Sequence, residues 1–129
     1  MLNPDSLQCT NALHKVVFDS NLTMAQRRWV CLSLLSDFSQ MMLERYGRHY
    51  GNGMLKIEPS TLKGVPVFLG SNKSCPIGLY NEVLDLVDSG DKRAASRVAT
   101  KLVQNEAGIS QYFANQVKGA LKAMRSRRS

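Results

Sequence analysis

The sequence predicts an α+β chain: a small antiparallel sheet packed on one long helix, followed by a C-terminal helical appendage of about three helices. Three observations carry this. Apolar residues recur at helical spacing through residues 24–46, directly behind a Thr-x-x-Gln capping box. Residues 47–57 hold three glycines between short extended stretches, the composition of a hairpin. From residue 79 onward three apolar periodicities of helical spacing are separated by Ser89-Gly90 and by the turn before Ser110.

Residues 1–11 read as loop, with Asn3-Pro4-Asp5 turning the chain. Ala12–Phe18 is rich in β-branched and aromatic residues and reads as a strand, with His14, Val16 and Phe18 on one face and Leu13, Lys15 and Val17 on the other. Asp19-Ser20-Asn21 ends it. Thr23 and Gln26 then start one helix that runs to Tyr46, its stripe made of Val30, Leu34, Phe38 and Met41/Met42 with Leu35 alongside. Gly47 sits where a C′ glycine would stop that helix, just after Arg45 in a turn that favours cations.

Asn52-Gly53 fits a tight hairpin turn, so Met54–Ile57 is expected to pair back on Arg48–Tyr50. Pro59 opens a short helical turn over Pro59–Lys63. Val65-Pro66-Val67-Phe68-Leu69 is apolar but interrupted by proline, which makes it an edge strand or an extended segment. Gly70-Ser71-Asn72-Lys73-Ser74 has linker composition and divides the chain into a part spanning residues 1–70 and a basic helical part spanning residues 71–129. In the second part Leu79–Val87 is a helix ending at Ser89-Gly90. Asp91 caps Lys92–Val103, and Ser110 caps a last helix carrying Phe113, Val117, Leu121 and Met124.

At 129 residues the chain has the length of one domain and can bury a core without staples. Seventeen Lys and Arg against ten Asp and Glu give a net charge of +7, which favours a polyanionic partner, nucleic acid first. Five of those cations (Lys118, Lys122, Arg125, Arg127, Arg128) fall after residue 117 with no acid among them. No apolar run approaches the roughly 20 residues of a membrane span. Met1-Leu2-Asn3-Pro4-Asp5 lacks the basic-then-apolar layout of a secretion signal, so a cytoplasmic protein is expected. Cys9, Cys31 and Cys75 have neither zinc-ligand nor redox spacing and read as free thiols.

The residue patterns of catalysis are missing from the sequence. Pro4, Pro59, Pro66 and Pro76 are isolated, so there is no Asn/Asp-Pro-Pro-aromatic motif for methylating an amino group. No lysine follows a phosphate-binding glycine loop, Gly51-Asn52-Gly53 lacks a strand-to-helix setting, and no carboxylates sit at metal-binding spacing. Two polar clusters remain. Thr10, Asn11, His14 and Lys15 offer hydrogen bonds to bases and phosphates, or form a polar loop feeding a half-exposed strand. Arg48, His49 and Tyr50 beside glycine-freed backbone N–H groups suit a phosphate or a stacked base, or make up an ordinary hairpin.

These clusters occur in a set order: Thr10-Asn11-Ala12-Leu13-His14-Lys15-Val16, a long helix, Tyr46-Gly47-Arg48-His49-Tyr50-Gly51-Asn52-Gly53-Met54-Leu55-Lys56-Ile57-Glu58-Pro59-Ser60, and Val65-Pro66-Val67. The set resembles the C-terminal, target-recognition part of adenine-specific (N6) DNA methyltransferases of restriction–modification systems, the gamma class. That family carries T-N-x-x-H-x-V, then G-R-x-Y-G-G-G-x-L-x-x-E-P-S/N, then a short apolar-Pro segment. The resemblance covers residues 3–70 well and 79–129 loosely. Asn52 departs from the middle glycine of the triple-glycine turn, a tolerable change because asparagine also enters positive φ. The larger departure is the family's cofactor and catalytic domain, which would lie N-terminal to Met1. An excised C-terminal domain or a truncated reading frame is the simplest expectation.

The resemblance implies a parent enzyme that moves a methyl group from S-adenosylmethionine to the N6 of an adenine flipped out of its duplex, while this part grips the flanking DNA. It implies DNA contacts from Thr10, Asn11, His14 and Lys15, and from Arg48, His49, Tyr50, Gly51, Asn52, Gly53 and Lys56. In that reading Arg48, Lys15 and Lys56 meet phosphates, and Asn11, His14, His49 and Tyr50 lie nearest the bases. Glu58 fixes the loop by accepting backbone N–H bonds. Double-stranded DNA and a catalytic methyltransferase domain or subunit are the implied partners. S-adenosylmethionine belongs to the parent enzyme; this chain is expected to hold no cofactor and no metal, and to be inactive alone. A stand-alone nucleic-acid-binding module, or a protein–protein adaptor whose basic surface aids solubility, are the other readings the residues admit.

Overall fold

Thr23 opens the first helix as its sequence requires. Its hydroxyl accepts from the Gln26 N–H at 3.1 Å, and the Gln26 side chain accepts from the Thr23 N–H at 2.9 Å, a complete capping box. The computed structural model describes residues 18–49, 53, 55–70 and 75–128. The strand expected over Ala12–Phe18 lies outside these residues apart from Phe18, whose ring receives the Arg27 guanidinium at 5.8 Å. In chain order the elements are α1 (Met24–Leu35), α2 (Asp37–Tyr46), β1 (Arg48–His49), β2 (Leu55–Lys56), α3 (Pro59–Lys63), α4 (Ile77–Asp88), α5 (Lys92–Ala107) and α6 (Gln111–Arg128). The fold is α+β, mostly helical, with one two-stranded antiparallel sheet among the described residues.

The long helix expected from Thr23 to Tyr46 is two helices. The chain leaves helical geometry at Ser36 (φ −69°, ψ 155°) and re-enters at Asp37. The reason lies in α5. Ser96 Oγ donates to the Leu35 carbonyl at 2.9 Å, and Thr100 Oγ accepts from the Asp37 N–H at 2.9 Å. The Ser36 hydroxyl bonds back to the Ser33 carbonyl. Backbone groups released by the break are therefore satisfied, as buried polar groups must be. Asp37 also sets a carboxylate at the positive end of α2.

The break changes which residues form the core. Trp29, Val30, Cys31 and Leu32 of α1 are buried and Leu34 is only half-buried, while Leu35 and Phe38 of the expected stripe still pack against the core. Trp29 and Leu32 pack with Tyr80 and Val83 of α4 and with Ala95, Ala99 and Val103 of α5. The two alanines, one turn apart, let α5 lie close to α1. Fully burying side chains such as Leu32 and Val83 stabilises the fold by about 1.5–3 kcal/mol each. On the other side α6 lies on α2: Phe113 stacks on Phe38 with ring centroids 6.3 Å apart, and Ala114, Val117 and Leu121 are buried. The core thus draws on helices from both sides of the linker segment.

The remaining connections follow local chemistry. Pro59 takes the first position of α3. The Asp91 and Ser110 side chains cap α5 and α6, accepting from the Ala94 and Phe113 N–H groups at 3.1 Å in each case. Val65–Leu69 belongs to no helix or strand and is anchored where Ser33 Oγ accepts from the Phe68 N–H at 3.0 Å and the Pro66 carbonyl accepts from Ser39 Oγ at 3.3 Å. Phe68 meets Trp29 edge-on, with ring centroids 5.3 Å apart. Gly70 ends this segment at φ +66°, and a Cβ there would fall inside the Trp29 ring, so glycine is required for both conformation and space.

Cys31 and Cys75 are buried, and Cys9 lies outside the described residues. Burial pushes the Cys75 thiol above its ordinary value, with the charge of Arg28 pulling the other way and Cys31 and Glu106 adding to the rise.

Candidate nucleic-acid interface

Strands β1 and β2 pair antiparallel with Arg48 opposite Lys56 and His49 opposite Leu55. That register is centred on residue 52. A two-residue Asn52-Gly53 turn without a bulge would instead set His49 opposite Lys56. Gly53 has φ +81°, while Tyr50, Gly51, Asn52 and Met54 lie outside the described residues.

Gly47, which links α2 to the hairpin, is not a left-handed helix stop. Its backbone is extended (φ −69°, ψ 160°). A Cβ there would meet the Leu43 carbonyl and Leu55 Cδ1 at 2.7 Å, and Ile57 Cδ1 at 3.0 Å. Glycine serves close approach: it lets the hairpin fold down onto the end of α2.

Opposed residues of an antiparallel pair share a face. His49 and Leu55 take the face toward α2, where His49 Nε2–H donates to the Glu44 carbonyl at 2.7 Å. In the neutral ring that leaves Nδ1 as acceptor. Arg48 and Lys56 share the opposite face, both exposed. Two like charges directly opposed destabilise a hairpin. Glu58 eases the repulsion through an ion pair with Arg48, Nε to Oε1 at 3.2 Å. The Glu58 side chain thus reaches the hairpin through a guanidinium; the backbone N–H bonds expected of it from the sequence would come from loop residues outside the described ones. With two-thirds of the Arg48 side chain exposed, the guanidinium keeps donors for an incoming anion.

Arg45 lies over the Tyr46 ring at 5.5 Å, Tyr46 is 55% exposed, and Lys63 ends α3 in solvent. Thr61 Oγ reaches the Tyr46 carbonyl at 3.5 Å and ties α3 to the end of α2. Of the expected contact residues, Arg48, His49, Gly53 and Lys56 fall within one hairpin. Thr10, Asn11, His14 and Lys15 lie outside the described residues, as do Tyr50, Gly51 and Asn52, so nothing relates the two clusters in space. Among the described residues no group of three or more His, Cys, Asp or Glu converges on a metal-sized site, and no helix is long and apolar enough to cross a membrane.

Hairpin and fold together define a basic α+β domain that presents cations on a short sheet anchored to a helix end. The family is identified directly: residues 1–109 match the model described as "Type II methyltransferase M.Eco57I, C-terminal domain", and the chain belongs to that family. The matched span takes in both polar clusters, the hairpin and the helices through α5, and stops in the turn before α6. Comparison with curated proteins and with solved structures gives no match. The chain therefore has its role within a type II DNA methyltransferase of a restriction–modification system.

Proposed function

We propose that this chain is the target-recognition part of an adenine-specific, gamma-class DNA methyltransferase and binds the duplex on either side of the base to be modified. The observation that carries this reading is the exposed face of the hairpin, where Arg48 and Lys56 stand opposed and Glu58 offsets one of the two charges. A phosphate bound there relieves a repulsion that the fold otherwise carries. Membership of a methyltransferase C-terminal family supports DNA as the source of that phosphate.

In this reading Arg48, Lys56 and Lys15 hold the backbone, and Asn11, His14 and Tyr50 lie nearest the base edges. His49 serves first to seat the hairpin on α2. The methyl donor, S-adenosylmethionine, is held by a separate catalytic domain or subunit and supplies the transferred group. The residues of this chain supply position: they fix the register of the duplex so that the extruded adenine reaches the catalytic pocket.

The test is substitution in the full chain. Arg48→Gln and Lys56→Gln are expected to weaken binding to all duplexes alike, as loss of a phosphate contact does. Asn11→Ala is expected to relax sequence preference, a bidentate base contact being worth about 1–3 kcal/mol of discrimination. Unchanged affinity in both hairpin variants would remove the hairpin from the interface.

A further inference from the structure

The chain's positive charge is not centred on the hairpin. Residues 92–128, which make up α5 and α6, carry nine Lys and Arg against a single Glu. The rest of the chain carries eight against nine, so it is close to neutral. Along α5, Arg93, Arg97 and Lys101 recur every fourth residue and share a face; along α6, Lys118, Lys122 and Arg125, spaced four and three apart, also share one. All six are exposed.

Between the two helices and the start of α2 lies a cleft of about 160 Å³ whose walls include Arg97, Lys101 and Lys118. An apolar helix seam would close this space; here polar side chains hold it open. Gln104, only 6% exposed, donates through Nε2 to Gln111 Oε1 at 3.1 Å, and Lys101 Nζ donates to the same oxygen at 3.4 Å. Gln111 Nε2 donates to Asn115 Oδ1 at 2.9 Å. The Gln111 and Asn115 amide oxygens are thus engaged within the wall, which leaves the cleft rich in donors. Asp37 is the acid of the lining, and its Oδ1 accepts from Ser96 Oγ at 3.2 Å. The cleft belongs to the same body as the hairpin. Arg125 of α6 pairs with buried Glu44 (Nε to Oε1, 3.8 Å), whose carbonyl holds His49.

We propose that the α5–α6 cleft is a second DNA contact, in which Arg97, Lys101 and Lys118 take backbone phosphates of the duplex away from the bases being read. The proposal rests on the DNA-binding reading of the chain, but on none of the hairpin residues. The family match does not imply it, because α6 lies beyond the matched residues. Cations in register along two helices suit a regularly spaced polyanion, and they contribute affinity without sequence information.

The experiment compares the full chain with two triple variants on a duplex of arbitrary sequence, across a range of salt concentrations. Arg97→Gln/Lys101→Gln/Lys118→Gln removes the cleft's charge; Lys63→Gln/Lys92→Gln/Arg127→Gln removes the same charge elsewhere. All six positions are exposed, and circular dichroism verifies that each variant is folded. The cleft variant is expected to flatten the slope of log K against log salt by about 2–3, since each phosphate contact contributes about 0.9. Its affinity should fall about tenfold or more on every duplex, and Lys101→Arg/Lys118→Arg should keep most of the parent's slope. The matched variant should change the slope far less. Equal changes in the two triple variants would overturn the cleft as a site, as would a loss confined to one DNA sequence. If the unsubstituted chain binds no duplex at low salt, the DNA-binding reading itself fails, a result distinct from failure of the cleft alone.

Discussion

Individual side chains set much of this molecule's behaviour. Gly70 combines a left-handed backbone with a Trp29 ring where its Cβ would be. Gly70→Ala is expected to destabilise the fold by about 3 kcal/mol, the left-handed penalty adding to overpacking. Urea unfolding should show a lower midpoint at unchanged slope. The Cys75 thiol gives a pH dependence. Burial raises its folded value, so the neutral thiol is favoured in the folded state. Its contribution is fully present below the unfolded value near 9.0 and is lost as pH rises through the folded value. Stability is therefore expected to fall above about pH 9, and Cys75→Ala should flatten that fall in urea titrations from pH 7 to 10.5. Arg48 contrasts with both. Its exposed pair with Glu58 is worth about 0–1 kcal/mol, so the residue matters more for what it offers a ligand than for stability.

At the level of elements, what the sequence revealed was decided by range. The caps at Thr23, Asp91 and Ser110 and the proline start of α3 were legible because donor and acceptor sit within three residues of each other. The break at Ser36 was not, since the partners that stabilise it lie in α5, Thr100 being 63 residues from Asp37. Ser36-Asp37 does carry cap chemistry, but inside an apolar periodicity it reads as helix. Thr100→Val keeps shape and removes the hydroxyl that accepts from the Asp37 N–H. It should lower stability by about 1–3 kcal/mol, the cost of an orphaned, part-buried donor, and speed amide exchange at Asp37. The hairpin was legible as an element, its strands pairing within the segments that the sequence marked, while its turn lies outside the described residues apart from Gly53. Gly47 leaves the space that Leu55 and Ile57 occupy at the end of α2, which a Cβ there would contest.

For the whole molecule, the glycine-rich loop pointed to a hairpin whose arginine and lysine lie exposed and opposed. It did not mark where the charge is densest. Cations spaced along a helix read as a solvated face, and only packing α5 beside α6 turns two such faces into the walls of one cleft. The chain is then a basic body with two cationic features linked through α2. The central claim is that this body binds duplex DNA through its phosphates. Equilibrium binding of the full, unsubstituted chain to a duplex, measured from about 50 to 200 mM salt, tests it most directly. Affinity that falls linearly on a log–log plot, by about 10³ or more if six or more phosphates are engaged, is the expected result. No binding at the lowest salt, or binding indifferent to salt, would contradict it.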